Sequence, residues 1–260
     1  HWGKRGGFLV KEKKENDKVS IFVTNNHYAP ISFKFWFEKS SNMRTSRPLP
    51  LSVEIQAHKN YKLLDIEPKA AGLAWSYRYK YRHQLGKLNP SHSKNCTYLP
   101  PVPEGSAYKV SQSFNGAFSH SSNYSKYAGD RAMPLNTDVI AARGGIIIER
   151  KTDFVLNGMD DKYKRRANVI RILHRDGTIA TYAHLEFRTM KFKEGELVKT
   201  GQVIGRSGNT GYSTGPHLHF AIHANKNMRL TAVPFQFFNN EKVVAPKQGM
   251  LLMNKPAVNI

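Results

Sequence analysis

Gly215-Pro216-His217-Leu218-His219-Phe220-Ala221-Ile222-His223 is the stretch from which the fold of this chain reads most directly. Apolar residues at 218, 220 and 222 alternate with histidines at 217, 219 and 223, and a period of two belongs to a β-strand with one buried face. Residues i and i+2 of a strand point the same way, so His217 and His219 enter one pocket while Leu218 and Phe220 go into the core. That arrangement sets a metal ligand beside a second working imidazole. Histidines on a solvent face give the same pattern, and the pair alone leaves both readings open.

The neighbouring sequence has the same texture. Residues 138–142, 145–150 and 168–174 read as strands, and Asp176-Gly177 is a turn signal that joins 168–174 to a strand over 178–185. Short apolar pieces follow at Leu197-Val198 and Val203-Ile204. No segment sustains a 3.6-residue period between caps, so few helices are expected. Toward the N-terminus, large apolar residues at Ile31, Phe33, Phe35 and Phe37 keep the period of two, and 19–24 and 53–55 resemble further strands. Trp75-Ser76-Tyr77-Arg78-Tyr79-Lys80-Tyr81-Arg82 alternates aromatics with cations. Bases could stack on such a row, but period-two alternation favours a strand with the aromatics inward and the cations in water.

Leu99-Pro100-Pro101-Val102-Pro103-Glu104-Gly105 separates the two textures, and a domain boundary is expected there. Residues 1–104 then form an accessory β domain of sandwich-like character, serving substrate targeting or regulation. Residues 105–238 form the domain that bears the histidine motifs. Residues 239–260 form a C-terminal extension that packs back or hangs free.

The 260 residues carry 40 Lys+Arg against 19 Asp+Glu, a formal charge of +21. With 40% hydrophobic residues the chain can build a real core, which excludes global disorder. The excess is not a basic tail, since 18 basic and 8 acidic side chains fall in 1–104 and 22 and 11 in 105–260. It points to a polyanionic partner. No apolar run reaches the roughly 20 residues of a transmembrane helix. The chain starts at His1 rather than Met, from which either a removed leader or a trimmed N-terminus is expected, and the former favours an exported protein. The single Cys96 forbids an internal disulfide and a thiolate metal cluster.

A hydrolytic zinc site commonly has three protein ligands and a water, so a His-x-His strand needs help from elsewhere. His120 and Asp130 converge only if the Ser/Asn/Tyr-rich segment between them loops out. His223 offers an alternative, because i, i+2 and i+6 share a strand face and would make an all-histidine site.

The order of motifs goes further. Ser111-Gln112 through Phe114-Asn115-Gly116, Phe118-Ser119-His120, Tyr127-Ala128, Asp130 and Ala132-Met133-Pro134 form a first group. Tyr182-Ala183-His184-Leu185 forms a second; Val203-Ile204-Gly205, Ser207-Gly208, Thr210-Gly211 and Ser213 through Phe220 form a third. Together they resemble the lysostaphin-like (LytM-type, M23) peptidoglycan metallopeptidases over about 105–238.

The resemblance implies a mainly β fold with a lysostaphin-type antiparallel catalytic domain. It implies that His120, Asp130 and His219 bind one Zn²⁺ per chain, and that His184 and His217 are the unliganded catalytic histidines. The implied activity is hydrolysis of amide bonds in peptidoglycan stem-peptide cross-links by a metal-activated water. The implied partner is peptidoglycan, not nucleic acid, with electrostatic association to an anionic envelope surface. The implied place is the bacterial periplasm, the cell envelope or the medium. Where relatives carry an aromatic residue after the Asp and a Gly-Thr-Pro-Val turn, this chain has Arg131 and Asn136-Thr137-Asp138-Val139, departures expected to alter groove shape and charge near the metal and so substrate preference.

Other readings are weaker. Gly211-Tyr212-Ser213-Thr214-Gly215 satisfies Gly-x-Ser-x-Gly, but it opens onto Pro216 and an alternating strand, whereas a nucleophile elbow must open a helix. No His-Glu-x-x-His occurs. His174 matches no ligand position and is expected to be structural or solvent-facing. The alternative class is a non-catalytic basic protein that binds cell wall or another polyanion.

Overall fold

The computed structural model describes residues 7–93, 95–116 and 120–255; Phe118 and Ser119 of the first motif lie outside the described residues. Strands dominate, and the described residues hold no α-helix, only a 3-10 turn at Asp161–Tyr163. Among the described residues no helix is long and apolar enough to cross a membrane. The chain divides into two compact units, one of residues 1–89 with 225–229 and one of residues 90–224 with 230–260.

The first unit has two sheets. Strands Phe8–Glu15, Lys18–Asn25, Asn60–Pro68 and Met43–Thr45 form one, and Leu51–Ile55, Ile31–Ser41 and Ser76–Leu85 the other. The Phe8 ring meets Phe33, Tyr81 and His83 across the two sheets, as in a sandwich. Ile31, Phe33 and Phe35 are buried as their spacing predicts. The aromatic and basic strand behaves less simply. Arg78, Lys80 and Arg82 are exposed, but the tyrosines are only half covered, with Tyr81 42% exposed. They lie ring over ring, Tyr77 and Tyr79 at 6.3 Å, and the Tyr77 hydroxyl donates to Glu12. A tyrosine satisfies its polar tip at the rim of a sandwich and need not go fully inside.

In the second unit a nine-stranded sheet positions the site. Its order is Leu197–Val198, Gly145–Lys151, Val169–Leu173, Ile179–Ala183, His217–Lys226, Gly129–Ala132, Ala107–Gln112 and Leu251–Met253, with Arg229–Val233 beside His217–Lys226. Asp176-Gly177 makes the expected turn, with Gly177 at φ 86° and the Thr178 N–H bonded to the Asp176 carboxylate. Leu218, Phe220 and Ile222 are fully buried with Val110, Ile172, Tyr182 and Phe235. The proline-rich segment packs inside this unit: Val102 is fully buried and the Leu99 N–H bonds to Ala142. The pairing of Leu251–Met253 with Ala107–Lys109 ties part of the C-terminal stretch to the sheet.

Candidate metal and hydrolase site

Three adjacent strands set the register of the site. Asp130 lies opposite His219 and Ala132 opposite His217, while Ala183 lies opposite His219 from the other side. Because paired residues on antiparallel strands share a face, Asp130, His217 and His219 project together. His184 follows the Ile179–Ala183 strand with φ 63°, a left-handed conformation that turns its ring back toward that face. Its centroid is 4.4 Å from that of His217 and 6.0 Å from that of His219.

His120 arrives from outside the sheet through the segment that precedes Gly129–Ala132. It is fully buried, and its Nδ1–H donates to the Ser113 carbonyl at 2.8 Å. A carbonyl can only accept, so neutral His120 holds its lone pair on Nε2, which is buried without a hydrogen-bond partner among the described residues. That nitrogen lies 3.3 Å from Asp130 Oδ2, and His219 Nδ1 lies 2.8 Å from Asp130 Oδ1. His120, Asp130 and His219 each offer one ligand atom, all within 4.8 Å of one another. Two imidazoles and a carboxylate suit zinc by donor type, and a buried lone pair aimed at the carboxylate fits a cation held between them. Burial works against ionisation of Asp130, but His219 and His120 hold its carboxyl well below the usual range. His223 is not in the trio; it is fully buried and bonded to Thr181 and to the Tyr124 carbonyl.

The other two histidines are oriented by the same device. His184 Nδ1–H donates to the Thr210 carbonyl at 2.7 Å, and His217 Nδ1–H to the Gly215 carbonyl at 2.9 Å. Both neutral rings therefore keep a bare Nε2 for proton transfer. Burial, then the neighbouring His217, pushes His184 down to about 3, and burial also lowers His217.

Ser213 Oγ is engaged with Asn209, Gly215 and His217 in a turn that opens no helix, so it braces the Gly215–His217 corner. His174 is buried, with Nδ1–H on the Gly144 carbonyl. Arg131 corrects an expectation: alternation sends it away from Asp130 and out of the groove. It is fully buried, its guanidinium 4.5 Å from the Phe237 ring centre and 5.5 Å from that of Phe220.

Residues 124–231 match the sequence model of Peptidase family M23. This part of the chain is similar to peptidase family M23. The matched span includes Asp130, His184, His217 and His219 and begins after His120, which the tertiary structure brings in. Among curated relatives, the M23 region is similar to peptidoglycan DD-endopeptidase ShyC of Vibrio cholerae, 37% identical over 108 residues that cover 40% of this chain and 22% of that protein. ShyA of the same organism is 31% identical over 149 residues, covering 55% and 31%. Lysostaphin of Staphylococcus staphylolyticus is 37% identical over 107 residues, covering 41% and 20%. The solved structure of the antimicrobial peptidase lysostaphin from Staphylococcus simulans aligns at 32% identity with TM-score 0.36, covering 45% of this chain and 43% of that one. The chain thus spans between a fifth and a third of the length of these curated relatives.

Proposed function

We propose that this chain is a zinc-dependent endopeptidase that hydrolyses amide bonds in the stem-peptide cross-links of peptidoglycan. The observation that carries the reading is the convergence of His120, Asp130 and His219 within 4.8 Å beside the His184–His217 pair, whose ring centroids are 4.4 Å apart. The M23 match and the peptidoglycan peptidases among the relatives support the substrate class.

His120 Nε2, an Asp130 oxygen and His219 would hold one Zn²⁺. Bound there, zinc supplies a Lewis acid that polarises a substrate carbonyl and acidifies a water. The chain's own part is proton transfer. Oxygen from water joins the carbonyl carbon, the C–N bond breaks, and the water's proton must reach the departing amine. Both His184 and His217 offer a bare Nε2 at the same mouth. Two positive charges on rings 4.4 Å apart repel, so the pair works with one proton between them. Burial lowers both rings, His184 to about 3, so each stands neutral with its Nε2 free to accept the proton. Once protonated, the accepting ring donates to the oxyanion or the amine.

The first unit is read as an accessory domain that targets or regulates the peptidase, and the +21 charge as an even coat that holds the protein near an anionic bacterial envelope. Purified protein with purified sacculi tests the whole. The expected result is about one zinc per chain, release of stem-peptide fragments identifiable by mass spectrometry, loss of release with a chelator, and sacculus binding that weakens as salt rises. Zinc-free protein that binds sacculi and releases nothing would establish the non-catalytic wall-binding reading instead.

A further inference from the structure

His223 shares the strand face of His217 and His219 but stands outside the trio, and its contacts run elsewhere. Arg171 Nε–H donates to Thr181 Oγ1 at 3.3 Å, that oxygen lies 3.1 Å from His223 Nδ1, and His223 Nε2 lies 2.9 Å from the Tyr124 carbonyl. A carbonyl can only accept, so Nε2 carries the proton and Nδ1 accepts from the threonine hydroxyl. The three bonds form one directional chain across the Val169–Leu173, Ile179–Ala183 and His217–Lys226 strands, ending on a residue that belongs to none of them. Arg171 also pairs with Glu149 and donates to the Tyr124 hydroxyl at 2.6 Å. The Tyr124 ring lies over the His223 ring at 4.3 Å and 24°. Next to it, the Asn123 carbonyl accepts from the Ala232 N–H at 2.9 Å.

All these anchors land on Asn123 and Tyr124, midway between His120 and Asp130. Tyr124 is 38% exposed, so core filling does not explain so many contacts. The segment it anchors has one further duty, which is to deliver His120 to Asp130 and His219 from outside the sheet.

We infer that His223 and Arg171 are positioning residues: they clamp Tyr124 and through it set His120 at ligand distance from Asp130 and His219. The inference rests on the reading of that trio as a metal site. Partners behind the ligands of metal sites typically tune affinity about 10- to 100-fold, and the clamp acts in that way through the backbone.

The test is equilibrium binding of Zn²⁺ alone to the full chain, by competition with a chromophoric chelator. Tyr124→Ala removes an exposed side chain and should weaken zinc about 10- to 100-fold while thermal unfolding of the metal-free protein changes little. His223→Leu should weaken zinc likewise, whereas His223→Gln, whose amide N–H can replace Nε2–H toward the Tyr124 carbonyl, should restore most of the affinity. The Co²⁺-loaded protein should report the same order by its ligand-field spectrum. Zinc affinity of Tyr124→Ala within about twofold of the parent would overturn the clamp and leave the metal site standing. A parent chain that takes up no zinc would overturn both.

Discussion

Asp130 and Arg131 are neighbours in the chain and opposites in environment. Asp130 faces two imidazoles; Arg131 points behind the sheet, and none of its three guanidinium nitrogens has a hydrogen-bond partner among the described residues. Desolvation of a cation with no hydrogen bond costs several kcal/mol, and the two aromatic rings return about 2 of that. Arg131→Met should therefore raise stability by about 1–3 kcal/mol, seen as a higher melting temperature with zinc content unchanged. A lower melting temperature would mean that the ring contacts outweigh the desolvation. At the other face, Asp130→Ala and His219→Ala should each lose metal and turnover, because each removes one of the three proposed ligands. His217→Ala should keep metal, measured by atomic emission, and lose turnover. Retained turnover in His217→Ala would end its assignment as one of the two proton carriers.

At the scale of elements, the site depends on two short bridges outside the named strands, Leu185 with Ser207 and Gly208 with His217. They hold the His184 turn against the start of the His217–Lys226 strand. Gly208 permits this approach: a Cβ there would stand 2.6 Å from Glu186 N and 2.8 Å from Leu185 C, both backbone. Backbone cannot step aside as a side chain does, so Gly208→Ala should push the His184 turn away from His217. Displacements of about 1 Å can cost about a hundredfold in rate; a drop of at least tenfold in kcat/KM with zinc retained is expected. Parent-like turnover in that variant would show that the turn tolerates the shift. The strands around these bridges were legible because Leu218, Phe220 and Ile222 repeat every two residues and Asp176-Gly177 can hardly do anything but turn. The orientation of His184 was not legible, since a left-handed residue just past a strand end leaves no mark on hydrophobic periodicity. Nor was the half-burial of Tyr77, Tyr79 and Tyr81, because alternation tells which face a side chain takes and not how well that face is covered.

For the whole molecule, buried histidines set the response to acid. Burial holds His174 to about 4, and burial with nearby Arg171 holds His223 to about 3, both below the ordinary 6.5. A folded-state pKa below the unfolded one means that the unfolded chain takes the proton first as pH falls. The stability that the neutral rings contribute is complete above about pH 6.5 and is lost between about 6.5 and 3–4. The melting temperature of chelator-treated protein should therefore fall from pH 7 to pH 5, before most carboxylates titrate, and His174→Gln should flatten the slope. A flat profile in the parent over that interval would show that these rings are not held neutral by the fold.

The sequence by itself determined that the chain is β throughout, that Leu218 and Phe220 enter a core while His217 and His219 face the other way, and that the motif order resembles the M23 peptidases. These follow from local rules: a period of two, a turn dipeptide, residue types at fixed spacing. The motif resemblance implied His120 rather than His223, but only the tertiary structure showed how His120 reaches Asp130 and His219, and that Arg131 leaves the groove alone. Both depend on where a ten-residue excursion comes back to the sheet. Spacing along a loop carries no direction in space, whereas the anchors on Asn123 and Tyr124 and the register of Gly129–Ala132 against His217–Lys226 supply it.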